Sequence, residues 1–390
     1  MDTDRLHEIQ HALQEETLDG WLFYDFRGSD PLAYRILGLD EAELSTRRWY
    51  YFIPVEGVPI GLVSSIEPYR LDRLPGPKLP FFTWQQHAER LAELLRNRRR
   101  IAMQYSPGNA IPYISRVDAG TIETIRQLGV EVVSSADLVQ RFEAVWTQEQ
   151  WQSHRRAATV VRQTVDAAFG YLRDNAPVSE YQVQQFILDC FAQHGLTTYY
   201  PPVVAANAHS ADPHYTPTAG QTALIRSGDF VLIDLWAKEP DGVYADITWT
   251  GFMGKVVPER YQEIFQLVRE ARDAALAFVK ERVASGQSFF GHEVDAASRS
   301  VITNAGYGDQ FFHRTGHSIG TEVHGNGANM DGVETRDTRR VLPHTCFSVE
   351  PGIYLAGDFG VRSEVDVYIT ENEAIVTGDP VQTEVIPILT

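Results

Sequence analysis

The chain carries FVLIDLWAKEPDGVYADITWTGFMG at residues 230–254 and CFSVEPGIYLAGDFGVRSEVDVYIT at residues 346–370. Each stretch runs from an apolar strand to an acidic residue, through a loop with glycine, to a second acidic residue and a second apolar strand. Asp234 ends the run FVLID and Glu350 ends CFSVE, while Asp246 and Glu364 repeat the situation on the returning strands. Two similar acid-bearing hairpins predict a pseudo-symmetric domain whose halves meet at a shared site. A strand-end acid in a turn accounts for any one of the four residues taken alone. Four acids at matched places in core-like strands require more, because an ionised carboxylate is costly to bury without a counter-charge, hydrogen bonds or a metal.

The histidines cluster near these strands. His313, His317 and His324 lie at spacings of four and seven in FFHRTGHSIGTEVHG, and His214 sits in ADPHYTP beside two prolines. An HxxxH pair suits one face of a zinc-binding helix, but Gly316 and Gly320 around His317 argue for strand or loop. The glutamate that a zinc-protease helix requires is also missing. Together with four carboxylates, the histidines make an N/O donor set without thiolate. Such a set suits manganese, cobalt, iron or zinc and differs from a structural zinc knot.

Composition narrows the setting. The 390 residues hold 34 Lys+Arg against 52 Asp+Glu, a formal charge of −18, which argues against a partner made of nucleic acid or anionic membrane. A 43% apolar and 22% charged content is that of a folded protein with a sizeable core. The amino terminus, MDTDRLHEIQHALQEETLDGW, is polar and helical in pattern, with no apolar stretch to act as a signal peptide, and no window approaches a membrane span. Cys190 and Cys346 form no short pairing motif. A soluble cytoplasmic protein with reduced thiols is therefore expected.

Along the chain, WLFYDF (21–26), WYYFIP (49–54), PIGLVSS (59–65), IAMQY (101–105) and VEVVSS (130–135) read as strands. Helical spacing marks 83–97 and the stretch near Thr121–Leu128, so residues 1–145 form an expected α/β domain. From Thr147, a plausible cap with Glu149 in the first turn, a long helix opens a second domain, 146–390. Further helices are expected near 180–194 and 258–286, with strands in separate blocks, giving an α+β domain.

The ordered set NAHSADPHY, VLIDLW with GVYADITWT, HRTGHSIGTEVHG, FSVEPGIY and GVRSEVDV resembles the creatinase, aminopeptidase P and prolidase superfamily of pita-bread metallopeptidases. The resemblance covers about 150–385, and the preceding domain is similar to that superfamily's amino-terminal domain. It implies an α/β amino-terminal domain followed by an α+β pita-bread catalytic domain with pseudo-twofold symmetry. It further implies hydrolysis of the peptide bond before proline in small peptides, as an Xaa-Pro dipeptidase or Xaa-Pro aminopeptidase. Two divalent ions per subunit are implied as cofactors, manganese first, with cobalt, zinc or iron as alternatives, and a homodimer is implied as the assembly.

Carried over residue by residue, the resemblance assigns Asp234, Asp246, His317, Glu350 and Glu364 as metal ligands. Asp246 and Glu364 would bridge both ions, Asp234 would complete one, and His317 with Glu350 the other. Glu350 would act as general base and acid. His324 would contact the scissile amide or its carbonyl oxygen, and His214 would face substrate. His313 and Tyr354 match pocket positions, either in direct contact with substrate or as a hydrogen-bonded wall. Arg362 would orient the second hairpin from behind the ligands. Arg336, in ETRDTRRVLP, falls where prolidases place an arginine for the free carboxylate of the product, a group that a bidentate guanidinium suits. A solvated charged loop is the competing reading for Arg336 and the favoured one for Arg339 and Arg340.

The chain departs from the family pattern in places. Trp249 stands where an arginine is common, reading as an aromatic wall in place of a polar support. Pro343-His344 replaces Pro-Gly, and Trp236 replaces a small residue. All five ligand types are kept, against a non-catalytic pita-bread module that binds a peptide in the old cleft. A metal hydrolase of the same fold with another amide or ester substrate is the nearer alternative. A wall against the proline ring would be aromatic, and Trp249, Tyr215 and Tyr354 are available for it.

Overall fold

The computed structural model describes residues 1–43 and 45–390. In the unit Met1–Glu143, the runs GWLFYD and WYYFIP pair along their whole length as antiparallel strands β1 (Gly20–Asp25) and β2 (Trp49–Pro54). With β3 (Ile60–Ser64), β4 (Lys78–Phe81), β5 (Arg100–Met103) and β6 (Glu131–Ser134) they form a six-stranded sheet ordered β4-β3-β2-β1-β5-β6. Successive side chains of a strand point to opposite faces, so Trp21 and Phe23 enter one core while Leu22 and Tyr24 enter another. The first core is completed by helices α1 (Thr3–Glu15), α2 (Pro31–Leu37) and α5 (Ala136–Glu143), the second by α3 (Trp84–Leu94) and α4 (Ala119–Gln127). A sheet buried on both faces reads as continuous apolar runs rather than as alternation, which is how β1 and β2 read.

The unit Ala144–Thr390 begins with α6 (Gln148–Asn175), opened by a capping box in which Thr147 and Gln150 satisfy one another's backbone donors. There follow β7 (Val178–Ser179), α7 (Glu180–Gln193), β8 (Val203–Ala206), β9 (Leu224–Ile225), β10 (Phe230–Ala237), β11 (Ala245–Phe252), α8 (Glu259–Ala284) and α9 (Gly291–Asn304). The remainder is strand: β12 (Ser318–Ile319), β13 (Cys346–Val349), β14 (Gly352–Leu355), β15 (Phe359–Arg362), β16 (Val365–Ile369), β17 (Ala374–Thr377) and β18 (Ile386–Pro387). Two four-stranded sheets result, β18-β11-β10-β8 and β12-β13-β16-β17, with two-stranded ribbons β14-β15 and β7-β9 beside them.

Each four-stranded sheet separates its side chains by parity. In β10 and β11 the odd residues Val231, Ile233, Leu235, Ile247 and Trp249 pack on Ala157, Val161, Val165 and Leu172 of α6. In β13 and β16, Phe347, Val349, Val365 and Val367 pack on Ala275 and Val279 of α8 and on Val294 of α9. Each fully buried side chain of this kind contributes roughly 1.5–3 kcal/mol, and the two helical backings leave the even-numbered faces for polar groups. Among the described residues, no helix is long and apolar enough to cross a membrane.

Parity corrects one expectation. Trp249 is no wall of the cleft, because it lies on the helix-backed face, 5% exposed, with the Arg162 guanidinium 3.8 Å from its ring centroid. The cation comes from α6, so the stack is an internal brace between helix and sheet.

Candidate metal centre

The first acid-bearing strands pair in a single ladder, with Asp234 opposite Thr248 and Trp236 opposite Asp246. Directly opposed residues share a face, so Asp234, Asp246 and Thr248 project together. The second pair is built differently. β13 and β16 pair as far as Val349 opposite Val365, and Glu350 and Glu364 follow at the ends of that ladder, with the β14-β15 ribbon inserted between them. A thread of hydrogen bonds joins the two faces. Thr248 Oγ1 donates to Glu364 Oε2 at 2.7 Å, and the Asp246 amide donates to Asp366 Oδ2 at 2.8 Å.

His317 arrives on the segment just before β12, which runs along β13. Its amide donates to Ser348 Oγ at 3.0 Å, the Ser348 amide donates back to the His317 carbonyl at 2.9 Å, and the Glu350 amide donates to the Thr315 carbonyl at 2.7 Å. Gly316 permits this approach, since a Cβ there would lie 1.9 Å from the Ser348 carbonyl oxygen. Asp295 of α9 holds the segment from behind. It accepts from the Thr315 amide at 3.0 Å and hydroxyl at 2.7 Å, and from Nε and Nη2 of Arg299 at 3.0 and 2.9 Å.

Asp246, His317 and Glu364 each bring a ligand atom within 4.8 Å of the others. The His317 Nδ1 lies 3.2 Å from the Ser318 carbonyl, which places the proton on Nδ1 and leaves the Nε2 lone pair outward. That lone pair faces Asp246 Oδ2 at 3.7 Å and Glu350 Oε1 at 3.5 Å. An unprotonated nitrogen facing two carboxylate oxygens is acceptor against acceptor. Burial, and then the charge of His324, hold the His317 pKa well below its ordinary value, so the ring itself does not take up the proton that would relieve the conflict.

The carboxylates carry the same signature. Asp234 Oδ1 and Asp246 Oδ1 are buried without a hydrogen-bond partner. Burial pushes Asp234, Asp246 and Glu364 up, Asp246 and Glu364 well above the usual range, and raises Glu350 to about 7 against the lowering charges of Arg362 and Arg314. Four clustered acids, two of them with an orphaned oxygen, and an imidazole lone pair facing them fit a divalent cation by donor chemistry.

Arg362 closes the back of the site. Its guanidinium forms a close ion pair with Asp234, donates to Thr248 Oγ1 at 2.9 Å and to Tyr354 OH at 3.1 Å, and lies 3.9 Å from Glu350 Oε2. The chain of donors continues from Tyr354 OH to His313 Nε2 at 2.8 Å and from His313 Nδ1 to the Arg314 carbonyl at 2.7 Å. Both His313 nitrogens are thereby occupied, and burial with the charge of Arg362 drives its pKa to about 3. The structure thus assembles Asp234, Asp246, His317, Glu350, Glu364, Arg362, Tyr354 and His313 into one polar cluster.

His324 stands beside it, its ring 4.3 Å from that of His317 at an interplanar angle of 76°. Its area is open to solvent, yet the surrounding protein pushes its pKa down to about 4. His214 is exposed. Arg336 is exposed on its loop. Arg339 departs from the solvated-loop expectation. At 2% exposure it pairs with Asp337 and donates to the carbonyls of Asn326 and Gly327 at 2.6 Å, bracing the loop from within. Thr248, Ser348, Asp295 and Arg314 were not singled out from sequence. Thr248 had a signal, since alternation in Asp246-Ile247-Thr248 puts it on the acid face, whereas Asp295 lies in α9, where apolar spacing is too sparse to mark a helix.

The family model described as metallopeptidase family M24 matches residues 152–371. The chain is 29% identical over 262 residues to the probable dipeptidase PepE of Mycobacterium tuberculosis, covering 67% of this chain and 66% of that protein. It is 35% identical over 166 residues to an Xaa-Pro dipeptidase of Lactobacillus helveticus, covering 42% and 41%. The aligned stretch thus spans about two-thirds of the PepE relative, or 66% of its length. Among solved structures, dipeptidase PepE from Mycobacterium ulcerans superposes with a TM-score of 0.75 at 22% identity, covering 98% of this chain and 96% of that one. The prolidase from Thermococcus sibiricus gives 0.69 at 21% identity, covering 99% of each. At these identities the structural likeness shows a shared fold.

Proposed function

We propose, from the premise that this chain belongs to metallopeptidase family M24 and that its Ala144–Thr390 unit has the pita-bread fold of that family, that it hydrolyses the peptide bond before proline in small peptides, using two divalent ions. The observation that carries the reading is the His317 Nε2 lone pair aimed at Asp246 and Glu350 beside the orphaned oxygens of Asp234 and Asp246. Without a cation the acids relieve that arrangement only by taking up protons, whereas a cation among the groups satisfies the nitrogen and the oxygens together. Asp234, Asp246, His317, Glu350 and Glu364 would hold the ions. When bound, the ions supply the positive charge that lowers the pKa of water and polarises an amide carbonyl.

The chain's own residues do the rest. Glu350, beside the ions, would take the proton of the attacking water and pass it to the leaving nitrogen. His324, held neutral, donates from one ring nitrogen to the carbonyl oxygen as charge develops there, a contribution of about 3 kcal/mol for a well-placed donor. His214 contacts the substrate from the open side. A tertiary amide lacks an N–H to be read, so an aromatic wall would suit its recognition; Tyr354 and Tyr215 are both buried, with their hydroxyls engaged.

The names of the relatives support a dipeptidase, and the exposed Arg336 is available for a free product carboxylate. The test is proline release from an Xaa-Pro dipeptide and Xaa release from an Xaa-Pro-Yaa tripeptide, comparing chelated protein with protein reloaded with manganese. Metal-dependent cleavage of the dipeptide alone supports the dipeptidase, and cleavage of the tripeptide indicates an aminopeptidase. Cleavage of neither by metal-loaded protein overturns the proline-specific reading.

A further inference from the structure

We propose that Glu180 is a positioning residue that holds the His214 turn against the site, an inference that rests on reading this site as a peptidase centre. Glu180 is the first residue of α7 and has no solvent exposure. Its Oε1 accepts from the Ala206 amide at 2.8 Å and lies 2.9 Å from His209 Nδ1. Its Oε2 accepts from the Ala223 amide at 2.7 Å and from Tyr215 OH at 2.7 Å. A carboxylate offers about four acceptor positions, and all are taken. The donors come from the end of β8, from the residue before β9, and from both ends of the turn that carries His214.

The helix does not need this carboxylate. Ser179 and Gln182 already form the capping box of α7, so Glu180 is desolvated for another purpose. The turn it grips is held from the opposite side by β15, where the Gly360 amide donates to Ser210 Oγ at 2.8 Å. A Cβ at Gly360 would lie 2.1 Å from the Ser210 carbonyl oxygen. Within the turn the rings of His209 and Tyr215 stack at 4.2 Å, and the His214 amide donates to Asp212 Oδ1 at 3.0 Å. His214 therefore belongs to a turn clamped between Glu180 and β15, the strand that ends in Arg362.

Glu180→Gln breaks the clamp whichever way its amide points. One backbone N–H faces each carboxylate oxygen, so the new NH2 must oppose either Ala206 or Ala223, and a backbone donor cannot reverse. Tyr215→Phe is the gentler companion, removing one of the donors and keeping the stacked ring. On metal-saturated protein, Glu180→Gln is expected to lower kcat/KM for an Xaa-Pro peptide roughly tenfold to a hundredfold, the effect of a misplaced contact group, and Tyr215→Phe about threefold to tenfold on the same argument. Neither change is expected to cost anything further in a His214→Ala background. Hydrogen exchange of peptides spanning 207–216 should rise in both variants without change in 346–370.

Equal losses with and without His214, or unaltered exchange in the turn, would overturn the assignment. If Glu180→Gln does not fold, the Tyr215→Phe cycle decides alone. Wild-type protein inactive on every proline peptide would sink the peptidase reading instead, and the exchange measurement would still tell whether Glu180 holds the turn.

Discussion

Replacing Arg362 by methionine removes the cation behind the acid cluster while keeping most of the side-chain volume. Three contacts disappear together: the close ion pair with Asp234 and the hydrogen bonds to Thr248 Oγ1 at 2.9 Å and Tyr354 OH at 3.1 Å. Asp234 loses the partner that fixes its carboxylate, and Thr248, which donates to Glu364, loses its own donor. Two proposed ligands are thus loosened by one substitution. Loss of an outer contact that orients metal ligands typically costs about tenfold to a hundredfold in affinity, or roughly 1.4–2.7 kcal/mol. Breaking a buried ion pair costs about 3–5 kcal/mol in stability when the remaining charge stays bare. The loss should fall below that range, because burial already holds the Asp234 carboxyl above the usual value and it can take up a proton.

Arg362→Lys keeps the charge but, lacking the planar fork, cannot meet three partners in fixed geometry, so its effect should lie between wild type and methionine. The assay is manganese titration of chelated protein by calorimetry, with activity measured at metal saturation. The expected order of affinity is wild type, then Arg362→Lys, then Arg362→Met, with the last weaker by tenfold or more. Affinities within a factor of two for all three would refute the argument that Arg362 orients the ligands.

Trp249→Phe should lower stability by about 1–2 kcal/mol through a small cavity and a weakened stack with Arg162, and leave kcat/KM within about twofold, since its ring faces α6; a large drop in kcat/KM would put the ring back in the cleft. His154 is buried, with Nδ1 at 2.7 Å from the Tyr244 carbonyl and Nε2 at 2.8 Å from Thr377 Oγ1, and burial lowers its pKa from 6.5 to about 4. The unfolded chain therefore binds a proton below pH 6.5 that the folded chain refuses. Stability is full above 6.5 and is lost as pH falls toward 4, by roughly 3 kcal/mol at the lower end. Urea midpoints at several pH values should show a shallower acid limb for His154→Phe, and an unchanged limb would exclude His154 as its source. Arg336→Ala should raise KM for an Xaa-Pro dipeptide about tenfold or more and spare a tripeptide; equal effects on both would remove its role as carboxylate clamp.

The acid-bearing strands were legible because burying an ionised group carries a cost that a sequence displays. An aspartate closing FVLID is conspicuous, and four such acids at matched places leave few alternatives. The presence of strands in β10, β11, β13 and β16 and of the long helices near 147 and 258 followed from the same apolar patterns. What the runs did not disclose is which members pair. The second half is not a plain hairpin, since the β14-β15 ribbon intervenes between Glu350 and Glu364, and ladder partners depend on distant residues. Trp249 reads as a cleft wall only when its strand is ignored, since Asp246 and Thr248 on one face send Ile247 and Trp249 to the other. β4 reads KLPF, too short and proline-bearing to mark a strand, and α9 buries only Val294 and Ile302 among its large apolar residues. Arg339 looked like one of several loop charges, and only the fold brings it against Asp337 and two carbonyls.

The most direct test of the metal centre is the number of manganese ions bound per chain by wild-type protein and by Asp246→Asn, read by calorimetry and by metal analysis after dialysis. Two ions per wild-type chain are predicted, with at most one retained when Asp246 can no longer bridge. A wild-type chain that holds no stoichiometric metal, or an Asp246→Asn chain that binds two ions with unchanged affinity, would contradict the account.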